Sequence, residues 1–548
     1  MPNKRLIIGI FLMFAANAIQ AFFTPISEDE AYYWLWSQNL DWGYFDHPPM
    51  IAWWISPGYE IFHNELGVRI LTVLLNSFGF FFLWKILQPE NQKQIKLFWM
   101  IFVSLLVIQV FGFLATPDAP LLFFTILYFY SLKNFLKKNS LLFTFLLAVS
   151  FAGLMYSKYH GILVILFTLV PILKNWWKNP KFYIAVSLSL VLYLPHIFWL
   201  IQHDFVPIRY HFFERSSDEH FELRKLTNYL GIYFLGAAPL LSYFIFSSIF
   251  KFKAQNPFQK SIWWLTILPG IFFFLSIFKD NVQPQWLLIS FIAMALITYF
   301  HYSGQENLNL IFRFGFTGII LIFILRVLLM IPGISPIYKN KHFGLDAGRF
   351  RVENAVFEKY QEASVYKFYN PGRSVAVHRT LGNRHSQFSL WGWEENFYGK
   401  KITYISPWVK AENSFKGYKN REYFLKEIAD YKTYDLIKIE TVDELNARPG
   451  ELIRLKIKIK NGHSHPVTIG GNSEFQMNIS YYKDLQYEIV YSYGIPATTF
   501  TLQAGEEKEL NIQFKNTPKK GIDKACIGIR YSETGTAYLS KPISVLVN

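Results

Sequence analysis

Uncharged apolar runs of roughly 18 or more residues recur through the first 330 or so positions of this 548-residue chain. A run of that length crosses about 30 Å of hydrocarbon as a helix. No water-soluble interior would hide them all, because 52% of the residues are hydrophobic and only 17% are charged. The alternating pattern of a membrane barrel is absent from these runs. The chain therefore reads as a polytopic α-helical membrane protein. Eleven spans are expected, at about 5–23, 67–87, 97–115, 119–133, 140–157, 160–174, 181–200, 228–250, 261–278, 285–301 and 309–331. Close spacing of several puts the upper count at about thirteen. Lys4 and Arg5 before an apolar run ending in Ala16-Asn17-Ala18 imitate a cleavable leader. Further spans follow, and the orientation below uses the first one, so an uncleaved first helix is expected.

The formal net charge is +15. In a soluble protein this would point to nucleic acid. Here much of the Lys and Arg falls in short connectors: Lys93 and Lys96; Lys133, Lys137 and Lys138; Lys174, Lys178 and Lys181; Lys251, Lys253 and Lys260. Such connectors face the cytoplasm by the positive-inside rule, so no nucleic acid partner is expected and the N-terminus is placed inside. The alternate connectors then share the outer face. They carry Glu28-Asp29-Glu30, Asp118 between prolines, Lys158-Tyr159-His160, Gln202-His203-Asp204 and Lys279-Asp280. Nearly all the chemically interesting residues thus fall on one side, which argues for a single external site.

Beyond Pro332-Gly333 the composition turns polar and no run is long enough to span. An odd number of spans places residues 333–548 outside. Residues 333–440 mix helical stretches with short strands such as Ser374–Val377, an α/β segment. Residues 441–548 alternate with period two, as in Leu452–Ile459, and read as an immunoglobulin-like β-sandwich. This sandwich carries no obvious Asp, Glu or His constellation and is expected to be non-catalytic. Cys526 is the one cysteine, so intrachain disulfides and multi-thiolate zinc sites are excluded. No P-loop, dinucleotide fingerprint or serine nucleophile elbow is present.

Each candidate site residue has a bland reading beside the chemical one. Asp29 and Glu30 could take a proton from an attacking hydroxyl, or simply cap a helix beginning near Ala31. Asp46-His47-Pro48-Pro49 is either a surface turn or a holder of phosphate or a divalent metal; a metal ion on Asp46 and His47 is the one cofactor in view. Asp118 is a second carboxylate or a helix cap. Lys158 either binds phosphate as a point charge or snorkels to the interface. His203, Arg209, Tyr210, His211, Glu214 and Arg215 form a cationic, aromatic stretch suited to a lipid phosphate, or a solvated loop.

In order along the chain, SEDEAYYWLWSQNLDWGYFDHPPMIAWW, LGVRILTVLLN, ATPDAPLLFF and SKYHGILV closely resemble bacterial membrane glycosyltransferases. These are GT-C fold enzymes related to the protein O-mannosyltransferases and to the aminoarabinose transferase of lipid A. The resemblance continues through IFWLIQHDFVPIRYHFFERS and KDNVQPQWLLISF, covering roughly the first 330 residues. EASVYKFYNPGRSVAVHRTLGNRHSQFSLWG is similar to the start of the external domain in bacterial relatives. The resemblance implies an inverting transfer of sugar from a polyprenyl-phosphate carrier to an external lipid, glycan or protein. It implies Asp29 as catalytic base with Glu30 beside it, and Asp118 as a second acid. Asp46, His47, Lys158, Tyr159, His203, Arg209, Tyr210 and Arg215 would receive the substrate. The aminoarabinose transferases typically have Glu-Lys-Pro-Pro where this chain has Asp46-His47-Pro48-Pro49, which argues against a plain assignment to that enzyme. The competing reading is a transporter or flippase for a lipid-linked sugar, which would spread functional groups over both faces.

Overall fold

The computed structural model describes residues 4–211, 222–278, 281–380, 383–442, 444–445, 450–484, 488–515, 522 and 524–545. The chain forms two compact units, Met1–Tyr338 and Lys339–Asn548.

The first unit is helical. Among the described residues, seven helices are long and apolar enough to cross a membrane: Lys4–Phe23, Glu65–Leu87, Asp118–Lys138, Pro180–Gln202, Pro257–Ser276, Pro284–Tyr302 and Asn309–Met330. Their outward faces carry large bare side chains such as Phe11 and Phe316, as a surface solvated by lipid requires. Leu288–Tyr302 is buried along almost its whole length and forms the middle of the bundle. The chain is a multi-pass membrane protein.

Two expected spans are broken. The pair Leu223–Leu235 and Pro239–Lys251 bends by 76°. Pro239 has no N–H to give and forces Ala238 before it into an extended conformation (φ −156°, ψ 99°). The run expected at 97–115 divides into Gln92–Val103 and Leu106–Phe111, with Leu105 extended between them (φ −74°, ψ 119°). The two breaks meet: the Leu106 N–H donates to the Ala237 carbonyl at 2.9 Å. Each break thus supplies a partner for a backbone group the other frees, as an apolar setting demands. Leu141–Ser157 and Gly161–Asn175 are shorter apolar helices. Between the first two long helices lie Glu28–Ser37 and Met50–Ile61, which are too short to span.

The second unit begins with a five-stranded sheet. Its strands are β1 (Asn354–Phe357), β2 (Ser374–Val377), β3 (Ile402–Ser406), β4 (Ser414–Lys416) and β5 (Glu422–Ile428), in spatial order β2-β1-β3-β5-β4. β1 is parallel to both β2 and β3, and the helix Tyr360–Tyr369 makes the crossover. A β-sandwich follows. One layer is β6 (Ile437–Glu440), β8 (Leu452–Asn461) and β13 (Glu507–Lys515), numbered in chain order with β7 at Glu444–Leu445. The other is an eight-stranded sheet built around β10 (Phe475–Asp484) and β14 (Lys524–Tyr531), with β9 at Val467–Ile469. Along β8, Ile453, Ile457 and Ile459 turn inward while Arg454, Lys456 and Lys460 face water, the alternation expected of a half-buried strand. Val356, Ala376 and Tyr404 of the first sheet share one buried cluster with Ile457, Ile479 and Ile527 of the sandwich.

Candidate active site

The sequence Ser27-Glu28-Asp29-Glu30 builds a capping box. The Ser27 hydroxyl accepts from the Glu30 N–H at 3.2 Å, and the Ser27 N–H donates to Glu30 Oε2 at 3.1 Å. Glu30 does more than cap. Arg69 donates to it twice, from Nε to Oε1 at 2.7 Å and from Nη2 to Oε2 at 2.6 Å, with both side chains wholly enclosed. The other three Arg69 donors go to the carbonyls of Ala21, Thr24 and Pro25, so all five N–H groups are used. Ala115 N–H adds a bond to Glu30 Oε1 at 2.9 Å. Burial alone would raise the Glu30 carboxyl, but the charge and hydrogen bonds of Arg69 hold it below the usual carboxylate range.

This corrects the expectation that Glu30 acts beside Asp29 in the reaction. Its oxygens are committed to the scaffold and out of reach of solvent. It joins three pieces of backbone: its own helix, the helix carrying Arg69, and the turn that leads from Ala115 to Asp118. Asp29, one residue earlier, is exposed in the first turn of Glu28–Ser37. Tyr33 lies one turn further along the same face, and its ring stands 6.1 Å from that of His47.

Asp118 opens the helix Asp118–Lys138, and Lys158 sits just past the end of Leu141–Ser157. Lys158 Nζ meets Asp118 Oδ1 at 2.8 Å, and both side chains are buried. Lys158 is therefore the counterion of a carboxylate, not a snorkelling chain at an interface.

The Asp-His-Pro-Pro turn and the 203–211 stretch come together. His211 Nε2 is 2.8 Å from the Asp46 carbonyl, the His47 and His211 rings stack at 5.9 Å, and Phe45 meets Tyr210 at 5.3 Å. Tyr159 joins them, 6.3 Å from the His211 ring and hydrogen-bonded to His196 Nε2 at 3.2 Å. His203 stacks on Trp199 at 4.2 Å, at the end of the same long helix as His196. Arg209 is exposed beside this group. Arg215, like Glu214, lies outside the described residues. Asp46, His47, Tyr159, Tyr210 and His211 thus form one cluster, with Lys158 and Asp118 reached through the neighbour of Tyr159.

Sequence reasoning missed four contributors. Arg69 and Arg326 are ionisable residues inside apolar runs, a signal that by itself marks a role. Arg326 binds Gln109 Oε1 at 2.6 Å, Asn17 Oδ1 at 2.9 Å, the Ala16 carbonyl at 3.0 Å and Gln20 Oε1 at 3.3 Å. Phe113 lies between the two guanidinium groups, 5.8 Å from Arg69 and 5.7 Å from Arg326. His196 and Asp41 carried no such signal. They orient the wall behind Tyr159, His196 through the Trp42 carbonyl at 2.6 Å and Asp41 through Trp199 Nε1 at 2.8 Å. Among the described residues, the group of three converging metal-ligating side chains is Glu395, His463 and His465 in the second unit, not one containing Asp46 and His47.

Comparison with known proteins bears out the resemblance read from the sequence. Residues 46–199, which hold the Pro-Pro turn, Arg69, Asp118, Lys158 and His196, match the family described as dolichyl-phosphate-mannose-protein mannosyltransferase. The lipid A galacturonosyltransferase RgtD of Rhizobium johnstonii is 22% identical over 286 residues, half of this chain. The match spans 60% of the length of that relative. The crystal structure of ArnT from Cupriavidus metallidurans in the apo state superposes with a TM-score of 0.59 at 9% identity, covering 77% of this chain and 97% of that one. The same protein bound to undecaprenyl phosphate gives a TM-score of 0.54 at 11% identity, over 78% and 98% of the two chains. The fold is that of the GT-C membrane glycosyltransferases.

Proposed function

We propose that this chain moves a sugar from a polyprenyl-phosphate carrier to an acceptor on the outer side of a bacterial inner membrane, with inversion at the anomeric carbon. The observation that carries the reading is the Glu30 junction. It fixes the helix bearing Asp29 against the turn that leads to Asp118, so two carboxylates are held by one rigid element.

In this scheme the acceptor hydroxyl attacks the anomeric carbon and passes its proton to Asp29, the exposed carboxylate. The bond from that carbon to the carrier phosphate breaks, and the phosphate leaves with the electron pair. His47 and Arg209 face the departing charge, and Lys158 adds a cation held in place by Asp118. Charges held in place by the fold need little reorganisation as the charge develops. A polyprenyl phosphate leaves without a general acid. The aromatic group of Tyr159, Tyr210 and His203 gives the sugar and the first part of the carrier a wall to pack on.

Lipid A or a related glycolipid is the favoured acceptor, because the galacturonosyltransferase relative is named for that lipid, and the ArnT neighbour, seen with undecaprenyl phosphate, supports the polyprenyl-phosphate carrier. Residues 333–548 then stand outside the cytoplasm, with 441–548 presenting or selecting the acceptor. The test is transfer from a synthetic polyprenyl-phosphate sugar to envelope lipids by the purified protein. Asp29→Asn should lower turnover at least about a hundredfold without loss of fold. Wild-type protein that moves the carrier across vesicles and transfers no sugar would sink the reading.

A further inference from the structure

The second unit holds a side-chain group that the proposed reaction does not use. Glu395 lies in the short turn Trp393–Phe397, in the α/β part of the unit. His463 and His465 lie in the connection from β8 to β9 in the sandwich. The chain bends through His463-Ser464-His465, and the two imidazoles stack with ring centres 4.9 Å apart.

The ligating atoms of Glu395, His463 and His465 all lie within 4.8 Å of one another. Glu395 Oε1 is 2.6 Å from His463 Nδ1, and Oε2 is 3.5 Å from His465 Nε2. Thr433 Oγ1 completes the group, 2.7 Å from Glu395 Oε1 and 3.1 Å from His465 Nε2. The Pro466 carbonyl lies 3.3 Å from His465 Nδ1. A proton held there leaves the Nε2 lone pair aimed into the group, the second-shell arrangement of a metal-bound histidine. Tyr398 stacks on His465 with ring centres 3.5 Å apart and fixes the ring plane. His463 is enclosed, while the side chains of Glu395 and His465 keep 22% and 12% of their surface, which leaves an entry path.

We propose that Glu395, His463 and His465 bind a divalent ion of the zinc class. Two imidazoles and one carboxylate are a common zinc donor set, with a fourth position left for water. Burial, with the nearby His463 and Lys432, keeps His465 below the ordinary histidine range. Burial alone would raise Glu395, but hydrogen bonds from His463 and Thr433 hold it low. One rearrangement accompanies loading. The Leu436 N–H points at His463 Nε2 at 3.2 Å, so the ring proton stays on Nδ1, facing Glu395, until an ion binds. Ligation through Nδ1 moves that proton to Nε2, and the Leu436 bond is given up. The Glu395 and His463 atoms, now in direct hydrogen bond, also move apart to admit the ion. The ion ties the α/β part of the unit to the sandwich.

The experiment uses the full chain in detergent, stripped with a chelator, dialysed against zinc chloride and desalted. Metal content is measured by mass spectrometry for wild type, His465→Gln and Glu395→Gln. Wild type should retain one more zinc per chain than either variant, a difference that cancels any ion held elsewhere, at Asp46 and His47 for example. Cobalt(II) loading should give wild type the visible bands of a four-coordinate site, and the variants should lack them. Thermal unfolding should shift upward with zinc in wild type alone. Equal zinc content in wild type and in both variants, each folded by circular dichroism, overturns the proposal, as does the absence of any retained zinc.

Discussion

Replacing Glu30 by Gln and Asp29 by Asn separates scaffold from chemistry at adjacent positions. Glu30→Gln keeps the shape but only one acceptor oxygen, which can serve the Ala115 or the Ser27 N–H but not both, and removes the charge that faces Arg69. Arg69 is fully enclosed, and two of its five hydrogen bonds end on that carboxylate. Removing one partner of a buried pair costs about 3–5 kcal/mol, because the other charge is left uncompensated. That is roughly a hundredfold to a few thousandfold in the folded ratio, a large part of the about 5–15 kcal/mol that holds a typical domain together. Asp29→Asn loses only a carboxylate near a helix N-terminus, worth about 0.3–1 kcal/mol. Thermal unfolding in detergent and sugar transfer, measured on the same preparations, should split the two. The Glu30→Gln protein unfolds early and loses activity in proportion to the unfolded fraction. The Asp29→Asn protein unfolds near the wild-type temperature and loses turnover at least about a hundredfold. Adding Arg69→Met to Glu30→Gln should recover much of the lost stability, since removing both charges is far cheaper than removing one. A Glu30→Gln protein as stable as wild type but as inactive as Asp29→Asn would refute the scaffold assignment and return Glu30 to the reaction.

Lys158→Met should weaken binding of free polyprenyl phosphate more than binding of acceptor, and Asp118→Asn with Lys158→Met should be more stable than either single variant in a double-mutant cycle. A reporter that works only in an oxidising compartment, fused after Asn548, should be active; activity of a cytoplasmic reporter at that point would undo the single-face argument. Truncation near residue 445 should unfold the rest of the second unit, because its two parts share a core, whereas removal of residues 339–548 should leave carrier binding intact; the assays are limited proteolysis and carrier binding. Burial would raise Asp435, but Arg379, with His385 beside it, brings it down to about 2. The sign is that of a depressed carboxylate: its contribution is full above about pH 4, near the unfolded value, and is lost as pH falls towards 2. Asp435→Asn should flatten that acid limb in a pH series of unfolding temperatures of the full chain.

The helices are legible in the sequence because a span announces itself by length alone. Each expected run has a helical counterpart, and the breaks at Leu105 and Ala238 are only half visible. Pro239 marks one of them, but nothing in Ser104-Leu105-Leu106 does, since that break is stabilised by Ala237 from a distant part of the chain. Site residues are legible by type, not by role. Asp29 and Glu30 are neighbours of nearly equal chemistry in the sequence. Which of them is locked away depends on Arg69, thirty-nine positions on. Lys158 reads as a free cation because Asp118 is its partner only in three dimensions. The sandwich reads as carrying no Asp, Glu or His constellation, and among the described residues its strands taken alone carry none. The group at His463 and His465 forms only when Glu395 is supplied from before residue 440.

Arg326 bears on how a long lipid tail enters such a protein. Its guanidinium is bound by neutral groups of Lys4–Phe23 and Leu106–Phe111, and itself sits on Asn309–Met330. Parting these three helices would strand a cation among acyl chains, at a cost of at least about 3 kcal/mol. That seam is therefore a closed side of the helix bundle, and a lipid carrier of the kind proposed above would find its doorway elsewhere around the rim.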